Sequence, residues 1–154
     1  MRSTRSACKN ANAEIRMRGI YTLILDLEHG IRIRVGSLGE ILFPEGYYAY
    51  TGSARGPGGF RRINRHIAVM NGENATRRWH IDYLLPHVIL RDVITTATDR
   101  DLECEAARRI GVNCIPVARF GCTDCRCTSH LHYSPSYREM LFACRKAHRD
   151  LLNL

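Results

Sequence analysis

From Gly19 the chain runs Ile20-Tyr21-Thr22-Leu23-Ile24-Leu25, apolar, β-branched and aromatic without alternation. That pattern predicts a strand buried on both faces. Glu28-His29-Gly30 reads as a turn, and Ile31-Arg32-Ile33-Arg34-Val35 alternates apolar and basic with period two, predicting a hairpin partner with one wet, positively charged face. A short extended piece at Ile41–Phe43 ends in the turn Pro44-Glu45-Gly46, and Tyr47–Thr51 reads as the next strand, closed by Gly52. Arg55-Gly56-Pro57-Gly58-Gly59 is a loop, because its glycines and proline suit neither a helix interior nor a central strand.

Helical spacing follows. Residues from about Phe60 to Met70 put Ile63 and Ile67 on one side, with Arg62, Arg65 and His66 elsewhere on the surface. Trp79–Leu85 predicts a second helix stopped by Pro86, and Val88–Thr96 a β-branched strand. Thr98 or Asp99 is a candidate cap for a helix over Leu102–Ile110, ended by Gly111. After a short, irregular, Cys-rich stretch from Ile115 to Tyr133, an amphipathic helix spans about Ser136 to Leu152. The expected class is α/β (α+β): one domain over 19–154 with a small, predominantly antiparallel sheet flanked by helices. Residues 1–18 are basic and polar and read as a flexible arm.

Composition adds a partner. Among 154 residues, 23 Lys plus Arg against 15 Asp plus Glu give a formal charge of +8, which favours a polyanion such as nucleic acid through counterion release. Only Lys9 and Lys146 are lysines, so the charge is almost all arginine, whose fork grips phosphate with two hydrogen bonds. No apolar run approaches the roughly 20 residues of a membrane span, and the basic N-terminus lacks the apolar core of a secretory signal. A cytoplasmic setting is therefore expected. The seven cysteines point to metal ligands or buried thiols rather than a disulfide framework.

Gly19-Ile20-Tyr21 and Tyr50-Thr51-Gly52, followed by Arg55 and by Arg62, Arg65 and His66, resemble the GIY-YIG nuclease superfamily. Homing endonucleases and the 3′-incising subunit of bacterial excision repair belong to it. The chain is similar, more narrowly, to the Uri-type endonuclease family through Gly46–His66, Arg78–Leu85, Glu103–Ala106 and the Asp124-Cys125-Arg126-Cys127 stretch leading to His130-Leu131. The resemblance spans roughly 19–133 and implies a metal-dependent endonuclease acting on DNA. It assigns Tyr21 as general base, acting as or toward phenolate, and Tyr50 as the group orienting water or a phosphate oxygen. A free tyrosine has a pKa of about 10, so the first role needs a nearby cation. Gly52 is expected to let the backbone pass close to the substrate.

The resemblance further implies that Arg62 clamps the scissile phosphate, with Arg61 and Arg65 as alternative equivalents, because the GPGG loop shifts the register. His66 would make a second phosphate contact or transfer a proton. Arg55, Arg61 and Arg65 are expected along the nucleic acid. Glu103 would hold Mg²⁺ or Mn²⁺, with Glu105 the alternative. Thr51 stands where the superfamily has Ile or Val, a β-branched exchange that leaves the strand intact.

Cys122, Cys125, Cys127, His130 and His132 have the residue types of a zinc site at irregular spacing. Cys125, Cys127 and His130 are candidate Zn²⁺ ligands and Cys104 a candidate fourth, against buried thiols and hydrogen-bonded histidines. His80 and Asp82, two apart on a helix, do not face each other, and a buried hydrogen bond is the simpler reading of either. Two competing functions remain: a nucleic-acid-binding module that does not cut, and a zinc-stabilised interaction domain.

Overall fold

The structure is a computed structural model that describes residues 17–122 and 125–154. All but the end of the expected N-terminal arm lies outside the described residues, as does Asp124. The strands are β1 (Gly19–Leu27), β2 (Ile31–Arg34), β3 (Glu40–Phe43), β4 (Gly46–Ser53), β5 (Ile89–Ala97), β6 (Ile115–Pro116) and β7 (Leu131–Ser134). The helices among the described residues are α1 (Arg61–Met70), α2 (His80–Leu84), α3 (Glu103–Ile110) and α4 (Tyr137–Leu151). None of them is long and apolar enough to cross a membrane.

Five strands form one antiparallel sheet in the order β5-β1-β4-β7-β6, and β2 pairs with β3 in a separate two-stranded sheet. The expected class, a mixed α+β fold with an antiparallel sheet flanked by helices, is the one observed.

Strand β1 is the centre because its sequence is apolar on both sides. Tyr21, Leu23, Leu25 and Leu27 join a core with Ile81, Leu84, Leu85 and Phe120 on one face. Ile24, on the other face, packs with Ala49, Ile110 and the inward residues of α4, Met140, Ala143, Cys144 and Ala147. Burial of that kind on both faces contributes roughly 1.5–3 kcal/mol for each large aliphatic side chain. Gly19 begins the strand where a Cβ would run into the Thr96 carbonyl, so β1 and β5 close up tightly at this end.

Two expectations change. The residues of β2 alternate as predicted, with the arginines outward, but β2 is not the hairpin partner of β1. Both edges of β1 are taken by the longer β4 and β5. The half-buried β2 needs only one covered face, and Ile31 and Ile33 find it against the core that also receives Tyr83. Helix α3 has Leu102 at its N-cap with no side-chain cap, and the Thr98 hydroxyl instead accepts from Arg100 N in the preceding turn.

A polar seam fastens α4 to the sheet. His148 is 3% exposed and lies between two threonines, with Nε2 2.7 Å from Thr22 Oγ1 and Nδ1 2.9 Å from Thr96 Oγ1. Burial pushes its pKa down to about 4, and His66 and His132, both buried, are lowered to about 4 as well. Each binds a proton more readily in the unfolded chain, where the pKa is about 6.5. Their stabilisation is therefore complete above about pH 6.5 and is lost as pH falls toward 4. Urea titrations should show the unfolding midpoint dropping steadily over that interval, and a midpoint flat from pH 7 to 4.5 would contradict the buried, neutral imidazoles.

Candidate functional site

The site begins with register. Tyr21 on β1 lies opposite Gly52 on β4, and Leu23 lies opposite Tyr50, so both tyrosines project from one face of neighbouring strands. A Cβ at position 52 would collide with the Tyr21 ring, Cζ and hydroxyl included. Gly52 thus makes room for Tyr21, and it also lines the cavity in front of the tyrosines.

Helix α1 closes over the pair. Its fully buried positions are His66 and Val69, not a stripe led by Ile63 and Ile67, and His66 is 0% exposed. The Tyr21 hydroxyl is 2.6 Å from His66 Nε2, and the Tyr50 ring meets the imidazole edge-on at 5.7 Å. Nδ1 of His66 is buried without a partner among the described residues. Burial, reinforced by the Arg65 charge, lowers the His66 pKa to about 4, so the ring is neutral at pH 7. Total burial also removes the option of a direct phosphate contact. Tyr21 is raised well above its ordinary pKa by burial and by Tyr50, against which Arg62 acts through its charge and a hydrogen bond.

In front of the tyrosines is a cavity of about 290 Å³ whose walls include Tyr21, Tyr50, Arg62, Arg78, Glu103 and His130. Arg62 anchors there by donating from Nη1 to the Ser53 carbonyl at 2.8 Å. Of the three helix arginines that were alternatives for the clamp, Arg62 alone lines this cavity. Arg65 instead grips Asp82 with both nitrogens at 2.9 Å, and its guanidinium stacks 4.1 Å from the Trp79 centroid. A residue expected along nucleic acid is thereby a structural partner. Arg61 is exposed at the start of α1, and Arg55 is exposed and donates to the Asp99 carbonyl, with Asp101 3.6 Å away.

Asp82 is fully buried and also accepts from the backbone of Arg78 and Trp79, which caps α2. Burial raises its pKa, but the Arg65 fork and these two N–H groups outweigh that and hold it below the ordinary carboxylate value. His80 accepts from Gly121 N. Asp82 follows the simpler reading, whereas the His80 hydrogen bond is only part-buried and the residue also lines the cavity. Arg78, next to Trp79, and Asp101 are charged cavity residues that sequence reasoning passed over; for Arg78 a basic residue flanking an aromatic just before a helix was the available signal.

The alternatives for the acidic position separate as clearly. Glu103 and Glu105 both stand in the first turn of α3, where a carboxylate suits the helix dipole. Glu103 faces the cavity, whereas Glu105 pairs with Arg108 at 2.7 Å and Arg109 at 2.8 Å.

Next to Glu103, Cys104 meets Cys125, Cys127 and His130, with all four donor atoms within 4.8 Å of one another. This cluster has the residues to hold a metal ion. Cys122 and His132 are outside it, and Cys104 supplies the fourth donor. The structure pairs Cys104 with Cys127 as a disulfide, while Cys114, Cys122, Cys125 and Cys144 are free among the described residues. His130 Nδ1 is 2.8 Å from Glu103 Oε1 but is not aligned for a hydrogen bond.

Residues 20–153 match the family model described as a domain of unknown function, DUF123. The chain belongs to this family. No curated protein and no solved structure matches it. The DUF123 segment contains both tyrosines, the arginines of the cavity, Glu103 and the whole Cys/His cluster.

Two substitutions test the architecture. Asp82→Ala leaves Arg65 without its buried partner and should cost about 3–5 kcal/mol in a urea titration. Gly52→Ala forces the Tyr21 ring away from His66 and should cost about 1–3 kcal/mol, with loss of the His66 ring signals' contact to Tyr21 in NMR. An alanine at 52 that leaves that contact in place would refute the close approach.

Proposed function

We propose that the chain is a metal-dependent endonuclease of the GIY-YIG type, closest to the Uri-type enzymes, that hydrolyses phosphodiester bonds in DNA. The observation that carries this reading is the convergence of Tyr21, Tyr50, Arg62 and Glu103 on one cavity, with neutral His66 behind Tyr21. Phosphodiester hydrolysis asks for a group to take a proton from water, cations for the phosphoryl oxygens and help for the leaving oxygen.

Tyr21 relays the proton. As water attacks phosphorus, Tyr21 Oη takes a proton from it and passes its own to His66 Nε2, 2.6 Å away. The arriving phosphodiester, an anion, raises the basicity of the imidazole. Tyr50 orients the water or a phosphate oxygen. Arg62, steadied by Ser53, and Arg78 neutralise the phosphate, which a guanidinium does with two donors at once.

Glu103 fits a hard divalent cation, because a lone carboxylate leaves most positions to water and phosphate oxygens. Mg²⁺ or Mn²⁺ held there supplies Lewis-acid stabilisation of the charge on the phosphoryl oxygens and the leaving group. The thiolate and imidazole cluster fits a different ion. Three sulfurs and one nitrogen form the closed, tetrahedral set of structural Zn²⁺. A disulfide uses two of the four converging donors, whereas zinc uses all four.

Cleavage of labelled duplex, flap and single-stranded DNA tests the reading. The wild type should nick at least one substrate when Mg²⁺ or Mn²⁺ is present and none when it is withheld. Tyr21→Phe and Glu103→Ala should each slow cleavage by about 100-fold or more. No cutting by the wild type on any substrate, with salt-sensitive binding retained in all three proteins, would assign the chain to non-cutting nucleic-acid binders.

A further inference from the structure

Two sulfurs of the Cys/His cluster and the proposed catalytic carboxylate meet at one ring, that of His130. On one side of His130, Nε2 faces Cys125 Sγ at 3.4 Å and Cys104 Sγ at 3.8 Å. On the other side, Nδ1 faces Glu103 Oε1 at 2.8 Å. Tetrahedral zinc with sulfur at about 2.3 Å and nitrogen at about 2.0–2.1 Å has N···S edges of about 3.5 Å. The two observed approaches bracket that length, so Nε2 is the ligating nitrogen and Nδ1 is left for the carboxylate.

We propose that His130 is a positioning residue: ligating the Cys104/Cys125/Cys127 metal through Nε2, it holds one oxygen of Glu103 through Nδ1–H and leaves the other for the cavity.

The physical reason lies in the tautomer. A free neutral imidazole carries its proton on either nitrogen, whereas ligation at Nε2 puts it on Nδ1 and fixes the ring plane. The structure has Nδ1 within 2.8 Å of Oε1 but off the hydrogen-bond direction, so ligation would have to turn the ring slightly to align Nδ1–H with the carboxylate. The backbone of His130 is itself held, with its N–H on the Phe120 carbonyl at 2.9 Å and its carbonyl accepting from Thr51 N at 3.0 Å. Thr51 follows Tyr50 on β4. The chain of contacts therefore runs from Tyr50 through the backbone to His130, and from its ring to Glu103. It sets the carboxylate in register with the tyrosine, although the two come from different elements. Cys104, the neighbour of Glu103 on α3, ties the same helix turn to the metal a second time.

The catalytic consequence of this coupling rests on the nuclease reading of the cavity, but the coupling itself does not. Co²⁺ is the probe, added to the full chain reduced and freed of metal. The wild type should bind one Co²⁺ per chain with the visible spectrum of a tetrahedral thiolate site. Glu103→Gln should keep that spectrum and lower Co²⁺ affinity about 10–100-fold, the usual consequence of losing such a carboxylate. His130→Cys keeps a four-donor site while removing the link to Glu103. It should still bind Co²⁺, and Glu103→Gln added to it should change Co²⁺ affinity less than twofold.

A wild type that takes up no Co²⁺ because Cys104 and Cys127 stay oxidised would overturn the proposal. So would equal Co²⁺ affinity in the wild type and Glu103→Gln, or an undiminished Glu103→Gln effect in the His130→Cys background. Coupling as expected, together with no cleavage of any DNA, would leave the positioning role standing and remove the nuclease.

Discussion

Everything in the candidate site hangs on the absence of a side chain at Gly52. The Tyr21 ring crosses the neighbouring strand at that point, where a Cβ would occupy the same space. Because the ring lies over Gly52, its hydroxyl reaches His66 across the sheet face, and helix α1 can close over it. The antiparallel register makes the same pairing bring Tyr50 alongside. A slip of one residue would turn both tyrosines to the α4 face, where Thr22, Thr51 and His148 are joined by hydrogen bonds. The two faces of β1 and β4 thus carry mutually exclusive chemistry, and each fixes the register for the other.

Net charge describes this molecule less well than the fate of its arginines. A balance of +8 suggests a surface ready for a polyanion, yet Arg65 is tied to Asp82 and Arg108 and Arg109 to Glu105. What faces the cavity is Arg62 and Arg78, both stacked on Trp79 at 5.0 and 5.5 Å. Stacking keeps a guanidinium in place while its edge stays free to bond, which is how arginine differs from lysine at such positions. Arg65 serves the other purpose from the same ring: bound on both sides, it fixes where Trp79 stands.

Local pattern carried most of the fold and long-range pairing very little of it. Strands β1 and β4 and helices α1, α3 and α4 were legible from local composition and spacing, β1 as an unbroken apolar run and the helices by their period. The alternation in Ile31–Arg34 told which side chains would be wet, and it did so correctly, but period says nothing about which strand lies alongside. His66 was legible as a site residue and misplaced on the surface. A histidine enters a core only when a partner satisfies it, and that partner, the Tyr21 hydroxyl, is 45 residues away. Cys104 could be offered as a fourth ligand but not chosen over Cys122 and His132, since only folding brings it beside Cys127, 23 residues on.

Glu103 and Cys104 raise a last point about economy of position. They are consecutive, so an α-helix turns their side chains about 100° apart, and each meets a different set of donors. The carboxylate faces the tyrosine hydroxyls and guanidinium groups of the cavity; the sulfur faces two cysteines and an imidazole. Hard and soft donors thus stand side by side at one cavity, whose lining takes in Glu103 together with Cys104, Cys125 and His130. The His130 ring reaches both sets, with Nδ1 2.8 Å from Glu103 Oε1 and Nε2 3.4 Å from Cys125 Sγ. A helix shifted by one residue would take the carboxylate away from the tyrosines and arginines that it faces. The sequence order Glu-Cys, at the first turn of α3, is therefore as much a part of the site as any distance within it.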